Sequence, residues 1–283
     1  MSANGFATYE TAWCPGCGNF AILDCLKTAL TELGRAPHEV LMVAGIGQAA
    51  KTPQYIGANA FCGLHGRALP AAVAAKIANE RLTVVVDTGD GDSYGEGGNH
   101  FIHNIRRNVD IAHFVHDNQI YGLTKGQASP TTLMGQVTSA QPEGSANLPF
   151  NPALMALAAG AGFVARAFSG RKEHLVSVMK QAILYEGYAL VDILQPCVSF
   201  NKVNTFAWYS QRVYELDAAY DASDRLAAMQ KAMEFGDRIP IGVLYQQPGR
   251  TFHRGNGVLR DGTPLIDRET GPGLLGELMN ELI

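Results

Sequence analysis

Four short apolar runs, separated by stretches of helical periodicity, constrain this chain more than any other feature. Glu39–Ala44 (EVLMVA), Leu82–Asp87 (LTVVVD), Ile111–Val115 (IAHFV) and Ala189–Leu194 (ALVDIL) have the length and apolar content of buried strands. Helical patterns lie between and around them, at Asn19–Leu33, Leu69–Asn79, Gly98–Arg107, Pro152–Ala159 and Arg171–Glu186. Strand and helix in alternation predict an α/β fold: a mostly parallel sheet with helices on both faces. Ligands of such sheets bind beyond the C-terminal ends of the strands. The loops after Ala44, Asp87 and Val115 are therefore the places to look for chemistry. Residues 1–222 are expected to make up this domain. From residue 223 the pattern weakens to one helix, Ser223–Glu234, and a Pro/Gly-rich tail, expected as a C-terminal arm (223–283) against a partner.

A net charge of −4 gives no basic surface for nucleic acid. No apolar run reaches the roughly 18 residues that span a bilayer. The start, MSANGFATYETAWC, lacks the basic and apolar regions of a secretory signal, so the five cysteines read as cytoplasmic thiols rather than disulfides.

The loop after the second strand is Thr88-Gly89-Asp90-Gly91-Asp92-Ser93, and the third strand leads into His116-Asp117-Asn118-Gln119-Ile120-Tyr121-Gly122. A Gly-rich turn leaving a strand exposes backbone N–H groups to a phosphate. An adjacent Asp can hold the divalent cation that accompanies a diphosphate, and Asn118 offers a second oxygen. Two ordinary turns are the plainer reading of either motif alone. Asp90, Asp92 and Gly95 match three positions of a calcium-binding EF-hand, but Phe101 stands where that loop needs Glu and a strand precedes it. Gly45-Ile46-Gly47-Gln48-Ala49-Ala50-Lys51-Thr52 imitates a P-loop but has Ala50 where Gly must precede Lys.

The Gly-Asp-Gly triplet followed 25 residues later by Asp117-Asn118 resembles the thiamine diphosphate motif, whose closing pair usually reads Asn-Asn. The surrounding text, GDGDSYGEGGNHFIHNIRRNVD and DNQIYGLTKGQASPTT with WCPGCGN, GLHGRALP and LQPCVSFNKVNTFAWY, resembles the β subunits of 2-oxoacid:ferredoxin oxidoreductases from Trp13 to about Tyr209. The resemblance implies a thiamine-diphosphate-binding fold. It implies Mg²⁺ held by Asp90, Asn118 and the carbonyl of Ile120. It places Gly47, Gly89, Gly91, Asp92, Gly122 and Leu123 at the cofactor, with His65 beside it and Lys51 near the substrate. Arg67 is equally well read as a packing or interface residue.

Cys14-Pro15-Gly16-Cys17 spaces two thiolates for one metal centre, and Cys197 follows a strand end. A thioredoxin-like dithiol would need a strand upstream, and zinc would want a second such pair. The family carries a 4Fe–4S cluster near the thiamine, which by resemblance falls to Cys14, Cys17 and Cys197. Its remaining usual cysteine falls on Gln48, a departure that leaves three of four thiolates. Cys62 is the spare; Cys25, among apolar neighbours, reads as core.

The implied reaction is reversible oxidative decarboxylation of a 2-oxoacid, with the acyl group passed to coenzyme A and electrons to ferredoxin. Family members take an activating Glu from an α subunit, which implies an αβ heterodimer, doubled to (αβ)₂. Lys125 could pair with the distal carboxylate of 2-oxoglutarate, which favours that substrate over pyruvate. A non-redox thiamine decarboxylase would leave the cysteines unemployed. A scaffold subunit with a decayed cluster site is the remaining reading.

Overall fold

The computed structural model describes residues 5–269, 271 and 273–282. Its framework is one eight-stranded sheet in the order β2-β1-β3-β4-β6-β5-β8-β7. The strands are β1 (Val40–Ala44), β2 (Asn59–Cys62), β3 (Thr83–Gly89), β4 (Ile111–Asp117), β5 (Phe163–Phe168), β6 (Tyr188–Leu194), β7 (Val213–Glu215) and β8 (Ile239–Gln246). Every pairing is parallel except that of β5 with β8.

The central strands are buried along their whole length because both faces are covered. On one face, helices α1 (Gly18–Glu32) and α5 (Lys172–Leu184) pack Ile22, Leu26 and Met179 onto Met42, Val85, Phe114 and Val191. On the other, α2 (Ala68–Ala78), α3 (Gly98–Arg107), α4 (Pro152–Ala158) and α6 (Arg225–Met233) cover Val84, Val86, Val115 and Leu190. Val85 faces one side and its neighbours Val84 and Val86 the other, as a period of two requires. These helices and the four expected strands lie within two residues of the sequence expectation.

Four strands were not expected. Phe163–Phe168 (FVARAF) carries a buried Arg166 that interrupts its apolar run. Ile239–Gln246 (IPIGVLYQ) holds Pro240 and Gly242, residues ordinarily depleted in strands, and so reads as tail. It pairs with β5 instead, across a bulge at Val164/Ala165. The Pro/Gly-rich segment is thus part of the sheet up to Gln246, and the division at residue 222 does not separate two sheets. The GDG segment is also no free turn. Gly89 ends β3, and Gly91–Glu96 winds at once into a π-helical turn. No helix among the described residues is long and apolar enough to cross a membrane.

Candidate active site

β1, β3, β4 and β6 all end on one edge of the sheet. The loops there enclose two adjoining cavities.

The first cavity is lined by residues from four loops: Gly47 and Gln48 after β1; His65 after β2; Gly89, Asp90, Gly91 and Asp92 at the end of β3; and Asn118, Ile120, Gly122 and Leu123 after β4. Asp90, 1% exposed, is the deepest of its carboxylates. It accepts a hydrogen bond from the Thr131 hydroxyl at 2.7 Å. Burial raises its pKa, which hydrogen bonds only partly oppose, and no cationic side chain among the described residues pairs with it. A buried carboxylate in that position is stabilised as an anion by a bound cation. Asn118 follows the end of β4. Its Oδ1 accepts from the Ile120 N–H at 2.9 Å, and Asp117 Oδ1 accepts from the Gln119 N–H at 3.2 Å. Two Asx turns in tandem thus fold the segment, with Gln119 in the left-handed region at φ 57°. Thr132 holds the turn from behind by donating to the Gln119 carbonyl at 2.6 Å. A Cβ placed on Gly47 or Gly89 would meet no protein atom within 4 Å, so both positions leave open space beside Asp90. This carboxylate, amide oxygen and open backbone fit a metal–diphosphate group.

Asp92 lines the same cavity, and its carboxylate is also tied to the loops around it. Its Oδ1 accepts from the Ile46 N–H (3.1 Å) and the Gly66 N–H (2.7 Å), and lies 2.7 Å from His65 Nδ1. It therefore ties the loops after β1, β2 and β3 together. A Cβ on Gly45 would fall 2.1 Å from Asp92 Oδ2, so that loop position must be glycine. Sequence reasoning also missed Tyr121 and Glu96. The Tyr121 ring lies against Gly91, where a Cβ would come within 2.1 Å of it, and its hydroxyl donates to Glu96 at 3.1 Å. Burial and the neighbouring Glu96 push the Tyr121 phenol well up, so it stays a donor. A buried histidine anchors the loop's base. His113 Nε2 stands 2.9 Å from both Thr88 Oγ1 and Ser93 Oγ, and its Nδ1 lies 2.7 Å from the Tyr188 hydroxyl. Burial pulls its pKa down to about 3, so the ring is neutral.

The cavity lining includes neither Lys51 nor Lys125. Lys51 ends a short 3₁₀ turn, half-buried. Lys125 is exposed at φ 74°, next to Thr124 at the rim.

The second cavity is lined by Cys14, Cys17 and Cys197 together with Gln48, Asn118 and Gly122. The last three also line the first cavity, so the two share a wall. The Cys17 N–H donates to the Cys14 carbonyl at 3.0 Å, closing the Cys-Pro-Gly-Cys turn through Gly16 at φ 79°. Burial pushes the Cys17 thiol up to about 11, with further contributions from Cys197 and Cys14. A metal cation bound there would reverse that preference. Gln48 turns its backbone to Trp13 Nε1 (2.8 Å), while its buried Oε1 has no partner. Among the described residues no three His, Cys, Asp or Glu converge closely enough for a single metal ion. Three cysteines lining one cavity are the donor type that iron–sulfur clusters use. Cys62 lies outside this cavity on the exposed edge strand β2, and Cys25 is buried in α1. Asn19, two residues past Cys17, meets His116 Nδ1 at 2.8 Å, and His116 Nε2 lies 2.5 Å from Asp87. That buried chain fixes the cysteine turn to β3 and β4.

Residues 40–193 match the family model of the C-terminal TPP-binding domain of thiamine pyrophosphate enzymes, which together with the open glycines and buried Asp90 defines a thiamine-pyrophosphate-binding subunit. Residues 197–261 match the C-terminal region of pyruvate ferredoxin oxidoreductase β subunits. The chain belongs to the β-subunit family of the 2-oxoacid:ferredoxin oxidoreductases. It is 39% identical to subunit β of 2-oxoacid:ferredoxin oxidoreductase 1 of Aeropyrum pernix, over 98% of this chain and 94% of that one. It is 45% identical to the 2-oxoglutarate oxidoreductase subunit KorB of Mycobacterium tuberculosis, over 68% of this chain and 52% of that one. A solved 2-oxoglutarate:ferredoxin oxidoreductase from Magnetococcus marinus, with 2-oxoglutarate, coenzyme A and succinyl-CoA bound, superposes with a TM-score of 0.90 at 34% identity, covering 98% of this chain and 94% of that one.

Proposed function

We propose that this β subunit serves a 2-oxoglutarate:ferredoxin oxidoreductase, which converts 2-oxoglutarate and coenzyme A to succinyl-CoA and CO₂, reversibly, with ferredoxin as electron carrier. The observation that carries the reading is the wall of Gln48, Asn118 and Gly122 common to the cofactor cavity and the cysteine cavity. Bound thiamine diphosphate supplies a carbon nucleophile for the 2-oxo group, and an adjacent 4Fe–4S cluster takes electrons one at a time.

This chain's residues then divide the work of holding. Asp90, Asn118 and the Ile120 carbonyl hold Mg²⁺, which neutralises the diphosphate. Gly47, Gly89, Gly91, Gly122 and Leu123 leave the backbone close to the cofactor. Asp92 orients His65 at the cavity. Cys14, Cys17 and Cys197 hold the cluster, and Gln48 supports a fourth ligand that is not sulfur, either its own Oε1 or a water. Such a ligand is harder and weaker than thiolate. Apolar Ile46, Phe61, Leu64 and Leu123 are exposed in the loops and edge strand around this site, where they support docking of an α subunit that completes it, in an (αβ)₂ assembly.

Pyruvate is the second reading. The match of residues 197–261 to the pyruvate family favours it, as does the position of Lys125 outside the cavity lining. Steady-state kinetics of the assembled enzyme decide between them. Turnover is expected only with the α subunit present, and with the lower KM for 2-oxoglutarate. Lys125→Ala should raise that KM by tenfold to a hundredfold, about the value of one charge-assisted hydrogen bond, and leave pyruvate nearly unaffected. Equal effects on both substrates would remove Lys125 from substrate recognition.

A further inference from the structure

A third cavity, of about 250 Å³, lies on the other side of Thr131 from Asp90 and takes no part in the chemistry above. Its floor is made by Arg166 of β5, Asp192 of β6, and Asp117 and Gln119 at the end of β4, each at most 3% exposed. Arg166 and Asp192 are paired directly across neighbouring strands and point to the same face. Opposite charges in that register ordinarily close into an ion pair. Here they stay apart. The Arg166 guanidinium donates to the carbonyls of Ala232 (3.0 Å) and Glu234 (3.3 Å), and Asp192 Oδ1 accepts from the Tyr94 hydroxyl at 3.0 Å.

Each side is left with unused capacity. Arg166 Nε and Gln119 Oε1 are buried without a hydrogen-bond partner. The second carboxylate oxygens of Asp192 and Asp117 accept no hydrogen bond from any described residue. Polar groups this deep are normally satisfied, so what fills the cavity must both donate and accept. A lone cation would face Arg166, and a lone anion would face two carboxylates. The walls toward solvent are apolar, with Leu133, Phe150 and Phe235 leading to Met233, which is 57% exposed at the mouth.

We infer that this cavity binds a small aliphatic α-amino acid. Its ammonium, with three donors, meets Asp192, Asp117 and Gln119. Its carboxylate meets Arg166, and its side chain lies along Phe150 and Phe235 toward the mouth. The site adjoins the cofactor cavity, since Thr131 donates to Asp90, and Asp117 and Gln119 flank Asn118, but it rests on its own buried charges and not on the functional reading above.

The test is a thermal-shift titration of the assembled enzyme with L-norleucine, beside n-pentylamine and hexanoate, which each lack one charged end. Norleucine should raise the melting temperature saturably, and each truncated compound should need about tenfold to a hundredfold more ligand for the same shift. Asp192→Asn, which keeps an acceptor for Tyr94, should weaken norleucine by a similar factor. Met233→Trp, at an exposed position that leaves the core untouched, should block entry. The inference is overturned if norleucine gives no shift, if either truncated compound matches it, or if both variants respond like the parent enzyme. A crystal grown at saturating norleucine with only water in the cavity would overturn it as well.

Discussion

At the scale of single residues, the site separates groups that hold a ligand from groups that hold a loop. Asp90 is the clearest of the first kind: a buried carboxylate with hydroxyl donors and, among the described residues, no cationic side chain paired with it. Asp90→Ala should abolish Mg²⁺-dependent thiamine diphosphate binding while circular dichroism and cooperative unfolding stay near those of the parent. Tight binding in that variant, measured by titration calorimetry, would remove Asp90 from the metal site. Gln48 gives the opposite prediction, a gain. With a thiolate in place of its unpartnered amide oxygen, Gln48→Cys should slow the loss of iron to a chelator. An unchanged rate would show that position 48 does not reach the cluster. That Asp90 and Asn118 line one cavity, and the Cys-Pro-Gly-Cys pair and Cys197 another, was legible through the family resemblance, since either cofactor motif alone reads as an ordinary turn. Tyr121, Glu96 and the stapling role of Asp92 were not. They depend on which way a side chain turns after a π-helical turn, and no spacing rule encodes that.

At the scale of elements, the cofactor cavity is walled by four loops, and those after β1, β2 and β3 must be held in register with one another. Asp92 does this with two backbone N–H donors and His65. Asp92→Ala would leave the Ile46 and Gly66 N–H groups unpaired near the cavity. It should cost about 1–3 kcal/mol for each buried donor left unsatisfied, read as a lower denaturation midpoint. Wild-type stability in that variant would mean the loops are held elsewhere. The strands with unbroken apolar runs, β1, β3, β4 and β6, were readable because burial on both faces leaves an uninterrupted signature. β5 and β8 were hidden for the same physical reason inverted. Arg166 sits in the middle of one, donating to carbonyls of residues 232 and 234. Pro240 and Gly242 sit in the other, Pro240 near its start opposite Tyr214 of the short edge strand β7 and Gly242 opposite Arg166.

At the scale of the whole molecule, the C-terminal ends of the parallel strands bring two cavities into contact through Gln48, Asn118 and Gly122, and the α1 turn delivers two of the three cysteines. Neither cavity alone favours a redox over a non-redox thiamine enzyme; the shared wall is what supports the redox reading proposed above. The most direct measurement is iron and acid-labile sulfide per chain in the assembled enzyme purified without oxygen, for the parent and for its cysteine variants. About four irons and four sulfides are expected in the parent, Cys25→Ser and Cys62→Ser, and a severe loss in Cys14→Ser, Cys17→Ser and Cys197→Ser. A parent enzyme free of iron, or one whose iron survives all three of those substitutions, would contradict a cluster held at that wall.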